Sequence, residues 1–247
     1  SLGVVNRSDY VFNGGVAAGR LLTTLQNPEL GWERSQEVNV GVDASLFGGR
    51  LSLVADAYHR ETEDLLLSLE LPVASGFGSV VANQGSIQNR GFEFGLNTRN
   101  IETDRFSWSS NFNLSVNRNK ALDLGASDTL RTGTSMEGAN THLTVVGGPV
   151  GLFYGYRILG VYTAEDIANP NVAKFAGAVE SDPMFKDVNG DGIIRQTEDF
   201  EVIGTPYPDF TWGFTNSARY GPVDFRITID GAVGGQRLNR NLATVEN

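Results

Sequence analysis

The residues of this sequence best suited to chemistry form one short acidic motif that reads D-x-N-x-D-G-x-I. Side-chain oxygens at positions 1, 3 and 5, a glycine at position 6 and a carbonyl at position 7 are how a calcium loop surrounds its ion. The predicted ligands are therefore Asp187, Asn189, Asp191 and the carbonyl of Ile193.

The residue that closes this loop stays open at the level of sequence. Position 12 of a calcium loop is normally acidic, and it is Glu198 here, with Asp199 directly after it. Either side chain completes the ligand set. The alternative interpretation is an ordinary turn, because Asn, Gly and Asp are the common turn residues. We expect a structural Ca²⁺ that folds the loop and has no redox role.

Catalytic chemistry has little support elsewhere in the chain. There is no Cys, and the two His residues, His59 in a predicted strand and His142 in a predicted loop, are far apart in sequence. The carboxylates of Glu61, Glu63 and Asp64 fall at the polar end of a strand, where a solvated surface explains them. No glycine motif for binding phosphate is present. We expect no enzyme.

The elements that position the acidic motif alternate between apolar and polar residues with a period of two, which predicts strands. One hairpin runs through residues 37–58, a second through 91–117 and a third through 210–230. In the first, Val38, Val40 and Val42 alternate with Asn39 and Gly41. Each strand therefore has one apolar and one polar face.

Strand length and loop asymmetry favour a membrane β-barrel. The pattern persists for about ten residues per strand, close to the ~9 to 11 that cross a bilayer. The turns at 47–50, 101–105 and 220–223 are tight, whereas 65–88 and 119–207 are long, which is the outer-membrane layout of short periplasmic turns and long extracellular loops. Residues 121–207 are predicted to form one extracellular excursion. A soluble antiparallel sandwich shows the same alternation and stays open as the alternative.

The charge and the apolar residues of the chain limit the kinds of partner it can bind. The net charge of -10 over 247 residues would repel a phosphate backbone, so nucleic acid is not an expected partner. The apolar strand faces instead suit the lipid of an outer membrane, and the polar faces suit a wet lumen.

An ordered series of motifs resembles the SusC/RagA family of TonB-dependent outer-membrane transporters of Gram-negative bacteria. The resemblance covers residues 27–239 and rests on the following segments: Asn27-Pro28-Glu29-Leu30-Gly31-Trp32-Glu33, Asn89-Arg90-Gly91-Phe92-Glu93, Phe153-Tyr154-Gly155-Tyr156, the acidic motif, Val202-Ile203-Gly204 and Pro208-Asp209-Phe210-Thr211-Trp212-Gly213-Phe214. In the family the acidic loop precedes the V-I-G motif, and its closing acid aligns with Asp199, whereas loop spacing selects Glu198.

The resemblance implies an all-β, antiparallel transmembrane barrel that imports oligosaccharides or peptides. It implies two protein partners, a SusD-like surface lipoprotein as lid and TonB as the source of energy. A barrel of 22 strands needs more than these 247 residues. We therefore expect residues 1–247 to be part of a single barrel domain whose plug, TonB-contacting segment and other strands lie outside this chain. The alternative function is a soluble, calcium-stabilised β-sandwich for binding or adhesion.

Overall fold

The computed structural model describes residues 5–12, 14–22, 24–133, 140–196 and 198–239. The described residues are mostly antiparallel strands. In chain order they are β1 (Val5–Phe12), β2 (Gly15–Leu22), β3 (Thr24–Leu25), β4 (Arg34–Leu46), β5 (Leu51–Glu63), β6 (Leu66–Glu70), β7 (Ser79–Asn83), β8 (Ser86–Glu102), β9 (Phe106–Asp123), β10 (Thr129–Thr132), β11 (His142–Val145), β12 (Leu152–Tyr156), β13 (Ile158–Val161), β14 (Pro183–Phe185), β15 (Phe200–Gly204), β16 (Pro208–Tyr220) and β17 (Val223–Gly234).

Helical structure is brief. A 3₁₀ turn covers Val73–Ser75, and helix α1 covers Ala164–Ala168. Thr163 begins α1 with a capping box, because its hydroxyl accepts the Asp166 N–H while the Asp166 carboxylate accepts the Thr163 N–H. Among the described residues, no helix combines the length and the apolar character that a membrane span needs.

The three predicted hairpins join into one six-stranded sheet, in the order β17-β16-β9-β8-β5-β4. The register between neighbours is continuous over most of each strand, so side chains align in rows across the sheet. One row, for example, runs from Val42 through Ala55 and Phe94 to Leu114 and Trp212. The predicted alternation is therefore confirmed across all six strands, which form a partial transmembrane barrel.

The apolar face of this sheet is exposed. Val38 and Val40 on β4 are both 67% exposed, and Phe225 on β17 is 61% exposed. A soluble sandwich would cover such a face with a second sheet, but no described element packs over it. The buried apolar side chains instead lie between Ala121, near the end of β9, and Ile194, and all but Ala121 are outside the long hairpins. An exposed apolar face on long strands is the arrangement of a wall that contacts lipid.

Tight turns lie at one end of the sheet. Phe47, Gly48 and Gly49 all have positive φ, of 55°, 65° and 83°, which gives the reversal between β4 and β5. Gly221 has φ 56° in the turn between β16 and β17, and Thr103–Arg105 joins β8 to β9. The last turn is shorter than the predicted 101–105, because β8 continues to Glu102.

The two long connections leave from the opposite end of the sheet. Residues 64–85 carry β6 and β7, which pair with β3 in a small sheet. Residues 124–207 carry the sheet β10-β11-β12-β15 and the ribbon β13-β14. The aromatic rings of Tyr154, Tyr156, Phe185 and Phe200 pack edge-on or stacked, with centroids 4.4 to 5.3 Å apart, and hold the larger sheet to the ribbon. This second connection is a folded unit that positions the acidic motif.

Candidate functional site

The acidic motif forms a compact loop between β14 and β15, held by its own carboxylates. Asp187 accepts the N–H groups of Gly190 (2.7 Å) and Gly192 (2.8 Å) through separate oxygens. The Asn189 side-chain oxygen accepts the Asp191 N–H at 3.0 Å, and Asp191 accepts the Ile193 N–H at 2.8 Å. The side chains at positions 1, 3 and 5 therefore all turn into the loop.

Two glycines make this curvature possible. Gly190 and Gly192 have φ of +76° and +81°, values that side chains other than glycine rarely adopt. Ile194 anchors the loop below: it is 3% exposed, and its N–H donates to the Lys174 carbonyl at 2.9 Å. The buried Ile194 side chain therefore fixes the end of the loop to the fold.

Asp199 and Glu198 have different surroundings. The Asp199 side chain is fully buried, and its two oxygens accept the N–H groups of Val188 (2.9 Å) and Arg195 (2.7 Å). It thereby ties the start of the loop to its end. Glu198 is exposed, and its carboxylate accepts the Arg195 guanidinium at 3.0 Å.

Arg195 is the residue that sequence reasoning missed. The same guanidinium nitrogen that contacts Glu198 also donates to Asp191. The pKa of Asp191 is lowered, first by the hydrogen bond from the Ile193 backbone and then by Arg195. Arginine four residues after an acid in a loop has no characteristic sequence signal, so only the fold reveals this pair.

The donor set fits a hard cation by type, because carboxylate, amide and carbonyl oxygens are the ligands of Ca²⁺. The hydrogen bonds from the backbone leave lone pairs free on the side-chain oxygens of Asp187 and Asn189, since each oxygen has more than one lone pair. In the described parts of the chain, however, no three His, Cys, Asp or Glu side chains converge on one point. The Arg195 cation already neutralises part of the charge that an ion would neutralise.

The polar face of the six-stranded sheet holds a groove of about 550 Å³. Arg60 and Glu37 form an ion pair across β4 and β5, and Tyr58 donates to Asn117 at 3.1 Å. Tyr58 crosses directly over Gly91, where a Cβ would lie 2.4 Å from its hydroxyl. The lining residues are Glu37, Asn39, Asp56, Tyr58, Arg60, Asn89, Glu93 and Asn117.

One pair of carboxylates in this groove did not emerge from the sequence. Asp56 on β5 and Glu93 on β8 are directly opposite in register. Like charges in this position repel each other, and neither has an ion-pair partner among the described residues. The groove is therefore polar and acidic, as expected of a wall that faces water.

The other titratable candidates remain dispersed. His59 contacts Glu61 at 3.1 Å on β5, and Asp64 pairs with Arg34 at 3.7 Å on the surface. The prediction of a loop at His142 is wrong, because this residue begins β11, where its ring packs against Phe153 at 5.5 Å. The two histidines therefore lie in different sheets.

Comparison with known proteins identifies the fold and the family. The family model described as "TonB dependent receptor-like, beta-barrel" matches residues 6–228. The TonB-dependent receptor P26 of Formosa agariphila is 36% identical over 239 residues, which cover 96% of this chain and 24% of that protein. The TonB-dependent receptor SusC of Bacteroides thetaiotaomicron is 29% identical over 211 residues, which cover 82% of this chain and 20% of SusC.

The structural comparison agrees. The structure of the RagAB peptide importer in the "open-open" state superposes with a TM-score of 0.69 at 22% identity, over 95% of this chain and 24% of that one. The chain thus spans about a quarter of the length of these relatives. It is a SusC/RagA-like member of the TonB-dependent receptor β-barrel family, whose proteins lie in the outer membrane of Gram-negative bacteria.

Proposed function

We propose that this chain is a wall segment of a TonB-dependent importer that carries oligosaccharides or peptides across the outer membrane. The observation that carries the proposal is the exposed apolar face, aligned in register over six long strands and backed by a continuous polar face. An importer wall needs both faces, because one contacts lipid while the other lines a wet lumen.

The polar groove is the part of this wall that faces cargo or the plug. Its charged residues Glu37, Asp56, Arg60 and Glu93 sit beside amide and phenol groups that donate and accept hydrogen bonds. Such a surface suits polar cargo. RagAB is named as a peptide importer, which supports peptides, whereas oligosaccharides rest on the resemblance to the SusC/RagA family.

The partners follow from the same assignment. The long connections 64–85 and 124–207 lie at the extracellular end of the sheet, where a SusD-like surface lipoprotein would close over the lumen. TonB engages parts of the transporter outside these residues. The aromatic side chains of the second connection pack against one another, which favours a structural role for them.

Binding and transport, with no catalytic step, is the activity that this proposal assigns. The carboxylates of the groove lie on an open polar surface, and the histidines lie in separate sheets. The alternative of a soluble sandwich has no support from the exposed apolar face.

The acidic loop carries a second proposal, a structural Ca²⁺ held by Asp187, Asn189, Asp191 and the carbonyl of Ile193. Its support is the donor types at the right spacing and the two glycines with positive φ. The ion would displace Arg195 from Asp191. Glu198 is then the acid placed to close the site, because its side chain is exposed beside the loop whereas that of Asp199 is fully buried.

Uptake by whole cells tests the importer. We expect cells with the full-length protein to accumulate either labelled peptides or labelled oligosaccharides in a saturable way, and to lose that uptake when the protein or TonB is deleted. A complemented strain is the control. Unchanged uptake of both mixtures in the deletion strain would refute the proposal.

A further inference from the structure

A row of basic side chains crosses the apolar face of the sheet near the end from which the long connections leave. Register places His59 on β5 opposite Arg90 on β8, and Arg90 opposite Arg118 on β9. Lys120 is the next residue of β9 on the same face, two residues after Arg118, and it lies opposite Gln88. Three strands therefore present basic groups side by side on the face that contacts lipid.

This row begins where the apolar band ends. The preceding row on the same face consists of Val40, Ala57, Phe92 and Val116. No apolar side chain separates the two rows. Because membrane barrels have their long loops outside, the boundary lies in the outer half of the membrane, at the depth of the lipid head groups.

The cations of this row are poorly neutralised by the protein. Arg90 and Arg118 are direct cross-strand neighbours, about 5 Å apart at Cβ, and like charges so placed repel. In the part of the chain that the structure describes, Arg90 and Lys120 have no ion-pair partner. Both are exposed.

The nearby acids bond to other groups or neutralise these cations only in part. Glu61 bonds to His59 (3.1 Å) and Gln88 (3.2 Å), so it does not reach Arg90. Arg118 donates to the Asp209 carbonyl at 2.9 Å, while the Asp209 carboxylate lies 3.7 Å away and is largely exposed. The row therefore keeps an excess of positive charge on a chain whose net charge is -10.

We propose that Arg90, Arg118 and Lys120 bind the phosphate group of an anionic lipid in the outer half of the membrane. A phosphate between the two arginines removes their mutual repulsion, and guanidinium groups match phosphate oxygens in geometry. The acyl chains of the same lipid then lie along Phe92 and Val116 in the row below. This inference rests on the barrel fold and is independent of the transport proposal.

Native mass spectrometry of the purified full-length transporter tests this site. The protein, in a neutral detergent, is titrated with dioleoylphosphatidylglycerol or with dioleoylphosphatidylcholine, which have the same acyl chains. We expect tighter binding of phosphatidylglycerol. Each cation near an anionic lipid contributes about fivefold in affinity, so Arg90→Gln with Lys120→Gln should weaken the tightest site about 25-fold.

A matched double variant controls for net charge. Arg99 and Arg226 lie in one row on the opposite, polar face. Arg99 lies opposite Ser109, Ser109 lies opposite Ser217, and Ser217 lies opposite Arg226. Arg99→Gln with Arg226→Gln should leave phosphatidylglycerol affinity unchanged. Equal binding of the two lipids, equal loss in both double variants, or competition by millimolar inorganic phosphate as strong as by lipid would overturn the proposal.

Discussion

A single positive charge at mid-depth on the apolar face should destabilise the barrel strongly, whereas the same charge one residue away should not. The pair chosen is Leu96→Arg and Asn97→Arg on β8. Leu96 lies opposite Phe112 on the apolar face, and Asn97 lies opposite Asn111 on the polar face. Both variants introduce the same side chain at almost the same height.

The depth of Leu96 in the membrane sets the size of the expected loss of stability. The apolar band on β9 extends from Phe106 to Val116, and at about 3.4 Å per residue with a tilt of about 40° it rises about 26 Å. Leu96, level with Phe112, lies about 16 Å from the inner end and close to the midplane. Arginine there costs about 2 to 4 kcal/mol, and about 0 to 1 kcal/mol near an interface. Phe92→Arg, level with Val116, should therefore cost little.

The assay is urea unfolding of the full-length transporter in lipid vesicles, followed by the gel mobility of the folded barrel. We expect a large loss of stability for Leu96→Arg, a small one for Phe92→Arg and almost none for Asn97→Arg. Equal effects of Leu96→Arg and Asn97→Arg would refute the assignment of faces. Equal effects of Leu96→Arg and Phe92→Arg would refute the depth assigned to the band.

Three further predictions concern the second long connection. Asp199→Ala removes a buried acceptor of two backbone N–H groups and should destabilise the loop by about 3 kcal/mol, which would be measured as faster proteolysis of residues 187–199. Glu198→Ala should have little effect in the absence of calcium. Equal effects of the two variants would contradict the structural role assigned to Asp199. Chelator should speed the same cleavage in the wild type but not in Asp187→Ala with Asp191→Ala; indifference of the wild type to calcium would sink the Ca²⁺ proposal. Lys186 and Arg157 hold the pKa of Glu201 below its ordinary value, so this carboxylate contributes stability above about pH 4.3 that is lost as pH falls through its lowered pKa. Glu201→Gln should remove that part of the acid sensitivity, and an unchanged pH profile of proteolysis would show that the ion pairs do not matter.

The sheet could be predicted because its signal is local. Alternation from Glu37 to Leu46 fixes which residues share a face, and a tight turn such as Phe47–Arg50 fixes the partner and the register. Both are properties of adjacent residues. The order of the six strands also follows, because the edge strand of one hairpin pairs with the edge strand of the next hairpin.

The second connection could not be predicted in the same way, because its strands are short and pair across long distances in sequence. β12 pairs with β15 and not with the next strand along the chain, and β13 pairs with β14 across a connection that contains α1. The stacking of Tyr156 on Phe185 follows only from that pairing.

The acidic loop was predictable in its residues but not in its bonds. Spacing identified Asp187, Asn189 and Asp191, and it left Glu198 and Asp199 undecided. The burial of Asp199 distinguishes them, and burial is a property of the folded loop that spacing in the sequence does not give. The pairs Asp56–Glu93 and Arg90–Arg118 likewise require the register between β8 and its neighbours.

Cysteine accessibility tests most directly whether the apolar face meets lipid and the polar face meets water. These 247 residues contain no cysteine. In a full-length transporter in which any cysteine elsewhere is replaced by serine, single substitutions report one position each: Val40 and Phe94 on the apolar face, Asn39 and Glu93 on the polar face. In intact membranes of cells with the full-length transporter, we expect a water-soluble maleimide to label Asn39→Cys and Glu93→Cys, and only a lipid-soluble maleimide to label Val40→Cys and Phe94→Cys. Labelling of all four positions by the water-soluble reagent would contradict the barrel wall.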